Sequence, residues 1–456
     1  MARVTQQPHF ENELSPMIGA FLRTFQVMSL LRTVGAYKQS GVPVIAVFQK
    51  LFGLAFSGKS LYMSLKGTSS NAGKDTFYRF VNSCRINWFK FTTMLSARMI
   101  GNMISKATSE DRVNVFIVDD TVYARGRSKK VELLSWVHDH AKHRSVRGFR
   151  LLTLGWSDGN SFLPINGCLL ASVTKRCNEK AYAVDKRTCG YRQRLRALRK
   201  APNVMLEMLK QARESGIHAS YVLFDSWFSS PKTVMAVTEE NLDVIAMLKK
   251  TSKVHYRYNG EMLPVTEIYK RNKKRRGRSK YLLSVAVEMN DPKQCKSVPA
   301  RLVFVRNKRK KKEYLVLIST NTALPEEEII RIYGKRWNIE VFFKVCKSYL
   351  KLTGECRSLS YDAMTAYVAI VFARYMMLSV ENRIQVDART LGELFYAVSD
   401  ELLDITWVEA FRILMEQLVV TATDRFFLTE EELDALLEDF MSKLPEIFKR
   451  KVIKCA

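Results

Sequence analysis

Two short segments constrain this chain most, each a run of apolar, largely β-branched residues that stops at an aspartate. Val113-Asn114-Val115-Phe116-Ile117-Val118 leads into Asp119-Asp120-Thr121, and Tyr221-Val222-Leu223-Phe224 leads into Asp225-Ser226-Trp227-Phe228. Runs of this kind read as strands buried on both faces of a sheet. Between them, Val204 to Gly216 has helical periodicity and a glycine stop, and His218-Ala219 leads into the second strand. Strand, crossover helix and strand make a parallel pair whose C-terminal ends share one sheet edge. Asp119 and Asp225 are therefore expected to be neighbours. Carboxylates at the ends of buried strands are costly unless cations meet them, which implies a metal site or a basic pocket. Turn capping by Asp is the plainer alternative.

A third acidic position stands on a long helix. Pro325-Glu326-Glu327-Glu328 is a helix start, and the pattern continues to Leu350. At about 100° per residue, Tyr333, Arg336, Glu340, Lys344 and Lys347 fall on one stripe. Trp337, Ile339, Val341, Phe342, Phe343 and Val345 take up much of the remaining circumference. That predicts a helix packed on several sides, with its ionisable stripe turned towards a site. A surface ladder of ion pairs is the alternative, since Arg336 and Glu340 are one turn apart.

Charge indicates what such a site would meet. The 456 residues carry 73 Lys or Arg against 45 Asp or Glu, a net +28, yet 47% of the chain is hydrophobic. That combination excludes a disordered basic tail and points to a folded protein with a polyanionic partner, nucleic acid first. The excess is uneven, because residues 249–313 hold 21 basic and 5 acidic residues whereas 381–456 hold 9 and 16. Two runs, Lys270 to Lys280 and Arg306 to Lys312, lie beside strand-like Tyr281 to Val287 and Arg301 to Val305. They predict basic loops on a small β-subdomain, able to track phosphates. A solvated face or a localisation signal is the blander reading of either run alone. The acidic end, with Thr429 capping Glu430-Glu431-Glu432, reads as a helical module. Residues 1–110 are mostly helical in period, with a Gly/Ser-rich break at Gly67 to Gly73, and suit either a helix-turn-helix reader or a plain bundle.

Other features exclude more than they assign. The eight cysteines contain no C-x-x-C pair, which argues against a zinc ribbon or a disulfide framework. Met1 to Glu13 lacks the apolar core of a secretory signal, so a reducing cytosolic setting is expected. Met364 to Val380 is apolar but carries Arg374 and is short of the about 20 residues a membrane span needs, so it reads as a buried helix. His138, His140 and His143, crowded by Lys142 and Arg144, read as surface or DNA-contacting residues rather than metal ligands. Trp227, just past a strand, reads as a buried core aromatic rather than a base-stacking one.

Taken together, Asp119-Asp120-Thr121, Asp225-Ser226-Trp227-Phe228 and Tyr333-x2-Arg336-x3-Glu340-x6-Lys347 resemble the DDE transposases of bacterial insertion sequences, in the branch with a Y-R-E-K signature. The resemblance covers at least residues 75–350 and includes Gly148 to Gly159, which looks like the strand pair after the first Asp. It implies an α/β fold with an RNase H-like mixed sheet core, interrupted by a β-rich insertion and flanked by helical N-terminal and C-terminal regions. The expected units are a helical DNA-binding region at 1–110, the first part of the core at 111–248, the basic insertion at 249–324, the second part of the core with the catalytic helix at 325–380, and the acidic helical module at 381–456.

The implied activity is that of a DNA transposase, binding transposon ends and catalysing Mg²⁺-dependent strand cleavage and strand transfer. Asp119, Asp225 and Glu340 would hold two Mg²⁺ ions, with Mn²⁺ as a substitute. Alternation along the strand leaves both Asp119 and Asp120 open as the first ligand. The family pattern D-x-T favours Asp119, with Asp120 as the second choice. Tyr333, Arg336, Lys344 and Lys347 would position phosphates. Lys273, Lys274, Arg275, Arg276, Lys310 and Lys311, with the basic stretch Lys186 to Lys200, would grip the flanking backbone. Double-stranded DNA as transposon end and target, a dimer in the DNA complex, no membrane, and the bacterial cytosol beside the nucleoid complete the expectation. Two alternatives stand beside it, a catalytically silent DNA-binding derivative of a transposase and a stand-alone RNase H-like DNA endonuclease.

Overall fold

A computed structural model describes residues 16–384, apart from 67–72, 109–111, 140–141, 180–183, 277–278, 292–295 and 308–312, together with a few single positions further on. Lys310, Lys311 and nearly all of the acidic segment 381–456 lie outside the described residues. The fold is α/β, and among the described residues its centre is one mixed sheet of 11 strands.

The first four strands are β1 (Val115–Ala124), β2 (Ser135–Asp139), β3 (Arg144–Ser157) and β4 (Phe162–Leu170). Parallel to β1 come β5 (Tyr221–Phe224) and β6 (Asp243–Met247). The basic segment supplies β7 (His255–Tyr258), β8 (Glu261–Pro264), β9 (Tyr281–Asp291), β10 (Lys296–Arg306) and β11 (Tyr314–Ser319). Their order is β2-β3-β1-β5-β6-β11-β10-β9-β7-β8, with β4 also against β3. The basic segment is thus not a separate β-subdomain. Its last strand, β11, pairs antiparallel with β6 and occupies an edge whose backbone groups would otherwise be left unpaired.

Helices α1 (Pro16–Thr24), α2 (Val27–Thr33), α3 (Val44–Gly53), α4 (Leu61–Lys66), α5 (Lys74–Val81) and α6 (Trp88–Met99) precede the sheet. Phe48, Trp88 and Phe91 interlock ring to ring among them, and α6 packs on β4. The crossover from β4 to β5 runs through α7 (Cys189–Ala197) and α8 (Ala201–Glu214), α9 (Pro231–Thr238) joins β5 to β6, and α10 (Val265–Arg271) follows β8. After β11 come α11 (Glu326–Gly334), α12 (Trp337–Ser348) and α13 (Tyr361–Ile384).

By length and composition α13 is apolar enough to cross a membrane, but here its apolar stretch is buried, packed against α6, α12 and β4. Its one internal cation is accommodated locally, since Arg374 donates to the Glu355 carboxylate at 2.6 Å and to the Phe52 carbonyl at 2.8 Å.

Candidate active site

Strand register builds the site. The last parallel pair between β1 and β5 is Val118 with Phe224, so the next residues, Asp119 and Asp225, come side by side where β5 ends. β1 itself does not end there, although the change from apolar to acidic residues suggests a tip. It continues to Ala124 because β3 remains its antiparallel partner. Asp119 to Ala124 therefore keep backbone bonding on one side, while the other side opens into a notch.

The notch concentrates negative charge. Asp119 is pushed up from 3.8 to about 7, first by burial and then by the charge of Asp225, which together outweigh the nearby Arg336. Arg336 bridges the site, with Nη1 donating to Asp119 Oδ2 at 3.1 Å and Nη2 donating to the Glu340 carboxylate. Its guanidinium carbon lies 5.9 Å from the centre of the Tyr333 ring, and burial pushes the Tyr333 hydroxyl up to about 12. Lys347 Nζ donates to Thr121 Oγ1 at 2.6 Å, and desolvation lowers the pKa of that ammonium. Thr121 is two residues from Asp119 and so shares its face of the strand.

Asp120 points the other way. Arg150 grips its carboxylate with both Nε, at 3.1 Å, and Nη2. The alternation that leaves the choice of first carboxylate open in the sequence separates the two aspartates here. Asp119 faces Arg336, and Asp120 faces Arg150.

The long helix from Pro325 to Leu350 proves to be two. Around Gly334 the bonding tightens to i→i−3, with Lys335 N on Ile332 O, Arg336 N on Tyr333 O and Ile339 N on Arg336 O. Glycine has a poor helix propensity, and this tight turn separates α11 from α12. The stripe drawn from Tyr333 to Lys347 thus crosses a break, although Arg336 and Glu340 keep their one-turn contact. α12 is also less covered than its apolar circumference predicts. Trp337 is 54% exposed and Val341 39%, because the helix packs through Ile339, Phe342, Phe343 and Cys346. Lys344 is exposed on the same helix.

Other residues depart from their sequence readings. Trp227 is 49% exposed rather than buried, since its backbone amide is tied to Asp225 Oδ1 at 2.8 Å and the turn carries the ring outward. Within the basic stretch Lys186 to Lys200, Arg194 is buried between Glu132 and Asp362. Arg196 is paired with Glu207 and lies over the Phe89 ring. Those two arginines hold the fold together. Lys273, Arg275 and Arg276 are exposed beside β9, and Lys274 is partly so. Arg150 had a signal in the sequence, a lone charge within Phe149-Arg150-Leu151-Leu152.

Among the described residues, no three His, Cys, Asp or Glu side chains stand close enough together to hold a metal ion. Two of the proposed ligands, Asp119 and Asp225, do adjoin, and Glu340 is linked to Asp119 through Arg336. The donors are all hard carboxylate oxygens, a set suited to Mg²⁺ or Mn²⁺. A guanidinium bridges two of these carboxylates, Asp119 and Glu340.

A family profile described as DDE superfamily endonuclease matches residues 52–312, more than half of the chain. The protein belongs to that family. The matched stretch contains Asp119 and Asp225 and stops before Glu340. Compared with curated proteins, the chain gave no significant match.

Proposed function

We propose that this chain is the transposase of a bacterial insertion sequence, one that binds transposon ends as duplex DNA, cuts them and joins them to a target. The single observation that carries the reading is the register of β1 against β5, which sets Asp119 beside Asp225 at an edge reached by Arg336 and Glu340. Mixed pairing around β1, antiparallel to β3 and parallel to β5, supports an RNase H-like core. The grouping of Tyr333, Arg336 and Glu340, with Lys347 on Thr121, supports the Y-R-E-K branch.

Asp119, Asp225 and Glu340 are the residues that would hold Mg²⁺, or Mn²⁺ in its place. When bound, such ions activate a water or 3′-hydroxyl and stabilise the leaving oxygen. The protein's own groups do the rest. Burial and the charge of Asp225 push the Asp119 carboxyl up to about 7, so Asp119 would have to release its proton to hold such an ion. Arg336 offers a planar fork to phosphate oxygens, and Lys347, anchored on Thr121, offers a point charge on the same face. The exposed run Lys273 to Arg276 would hold flanking backbone, residues 1–110 would bind transposon-end DNA, and two copies would pair two ends.

A labelled transposon-end duplex incubated with Mg²⁺ and target DNA tests the proposal. Wild type should nick the end and join it to the target. Asp119→Asn, Asp225→Asn or Glu340→Gln should abolish both steps and leave binding intact. Cutting without joining would replace the proposal with a stand-alone nuclease, and binding without either step would replace it with a silent derivative.

A further inference from the structure

Across α12 from the carboxylates lies a cavity of about 960 Å³ that the chemistry above does not use. Asn338 and Val341 of α12 line it, whereas Glu340 of the same helix turns to Arg336. The turn between β3 and β4 forms another wall, and its Asp158 is buried. Thr153 is the strand partner of Asp119, and Asp158 comes five positions later, so this wall stands about 17 Å from the carboxylates along the strand.

Three cations gather around Asp158. Arg112, just before β1, and Arg383, at the end of α13, pair with its carboxylate, and both line the cavity. Lys335 is the third, with Nζ donating to the Val113 carbonyl at 2.5 Å and to the Asp158 carbonyl at 3.3 Å. The Asp158 carboxylate is satisfied without Arg112. Thr108 Oγ1 donates to it at 2.8 Å, and the amides of Asn160 and Ser161 donate at 2.9 and 2.7 Å. Arg383 Nη2 is divided between Asp158, at 3.3 Å, and the Ala107 carbonyl, at 2.7 Å. Arg112 is left over. Its Nη1 is buried 3.6 Å from Asp158 Oδ2 and has no hydrogen-bond partner among the described residues.

Bracing of the fold accounts for Lys335 and for one edge of Arg383. It does not account for Arg112, because a buried donor without an acceptor is costly. An acceptor arriving from outside removes that cost, and two guanidiniums on one wall call for an anion. Their planar forks suit phosphate oxygens. The volume is larger than a bare ion needs and falls in the range that admits a nucleotide unit.

We propose that this cavity is a second phosphate site, in which Arg112 and Arg383 hold a phosphate ester on the far side of α12 from Asp119 and Asp225. The ester comes from a strand of bound DNA, about five nucleotides from the cutting site at about 3.4 Å each, or from a free nucleotide. The DNA source rests on the reading of the chain as a transposase, and the nucleotide source does not.

Two measurements on the full chain in EDTA test the site and separate its sources. Fluorescence anisotropy with a labelled duplex of about 30 base pairs, at rising salt, reads a DNA phosphate. Arg112→Ala should then weaken binding about tenfold and lower the salt slope by about one, while Arg112→Lys, which keeps the charge, should keep the slope. Calorimetric titration with deoxyadenosine monophosphate reads a free nucleotide, which wild type should bind and Arg112→Ala should not. Arg112→Ala should keep the wild-type urea midpoint, so that a loss of binding is not a loss of fold. Wild type and Arg112→Ala behaving alike in both measurements would overturn the site, as would an Arg112→Lys slope as low as that of Arg112→Ala with no nucleotide bound. No cutting is read, so failure here leaves the transposase proposal standing. A wild type that bound no duplex would sink that proposal, and the nucleotide titration would still decide the cavity.

Discussion

Two arginines in this protein each stand between two carboxylates, and their surroundings give them opposite roles. Arg194 contacts both oxygens of Glu132, at 2.5 and 2.9 Å, and both oxygens of Asp362, at 2.9 and 2.8 Å. It also donates to the Gly190 carbonyl at 2.9 Å, while the Tyr361 amide donates to Glu132 at 3.0 Å. All three side chains are at most 9% exposed. Arg336 makes one contact to each of Asp119 and Glu340, which are 19% and 35% exposed, and Asp225 adds a third acid to the same corner. In the first group the hydrogen bonds are saturated. In the second, one guanidinium contacts two carboxylates with a third acid beside them, and burial together with the charge of Asp225 lifts the proton affinity of Asp119. Burial of charge is common to both groups, and what sets the second apart is a third acid, Asp225, beside the pair that Arg336 contacts.

The sharpest way to break the comparison is to remove the cation from the saturated group. Arg194→Ala strands Glu132 and Asp362 in the core and should lower stability by about 3–5 kcal/mol, read as a fall in the urea midpoint. Arg336→Ala should lower it much less, since the carboxylates around Arg336 reach solvent. Equal losses would erase the distinction.

The surplus also predicts a pH dependence. Between 3.8 and about 7 the unfolded chain releases the Asp119 proton that the folded chain retains, so the folded state binds more protons. Stability of the metal-free protein should therefore fall as pH rises through that window and level off above it. Partial exposure of the side chain limits the contribution to about 1–2 kcal/mol, and Asp119→Asn should remove that part of the slope in urea melts at successive pH values. A slope unchanged in the variant would place the surplus elsewhere.

The smallest effect separates the adjacent aspartates. Asp120→Asn weakens a partly exposed ion pair with Arg150 and should cost less than about 1 kcal/mol, with DNA cutting retained. Loss of cutting in that variant would return Asp120 to the catalytic set.

Patterns local in sequence, or linked by one crossover, were legible without coordinates. The apolar runs before Asp119 and Asp225 announced β1 and β5, and the parallel crossover rule brought the two aspartates together. Partners far apart in the chain were not legible. Arg194 read as a DNA-gripping residue because its acids lie 62 and 168 positions away. Trp227 read as core because nothing local shows that Asp225 turns the chain outward. The break at Gly334 was hidden because residues on both sides fit a helix and the i→i−3 bonding that divides them leaves no pattern in the sequence.

The central claim is that Asp119, Asp225 and Glu340 make a carboxylate surplus that takes a divalent cation. Titrating Mn²⁺ into the protein, with the free ion followed by electron paramagnetic resonance, tests it directly. Wild type should bind Mn²⁺, more tightly above about pH 7 than below it as the Asp119 proton leaves, and Asp225→Asn should lose that binding while remaining folded. Equal Mn²⁺ binding by wild type and Asp225→Asn would contradict the claim.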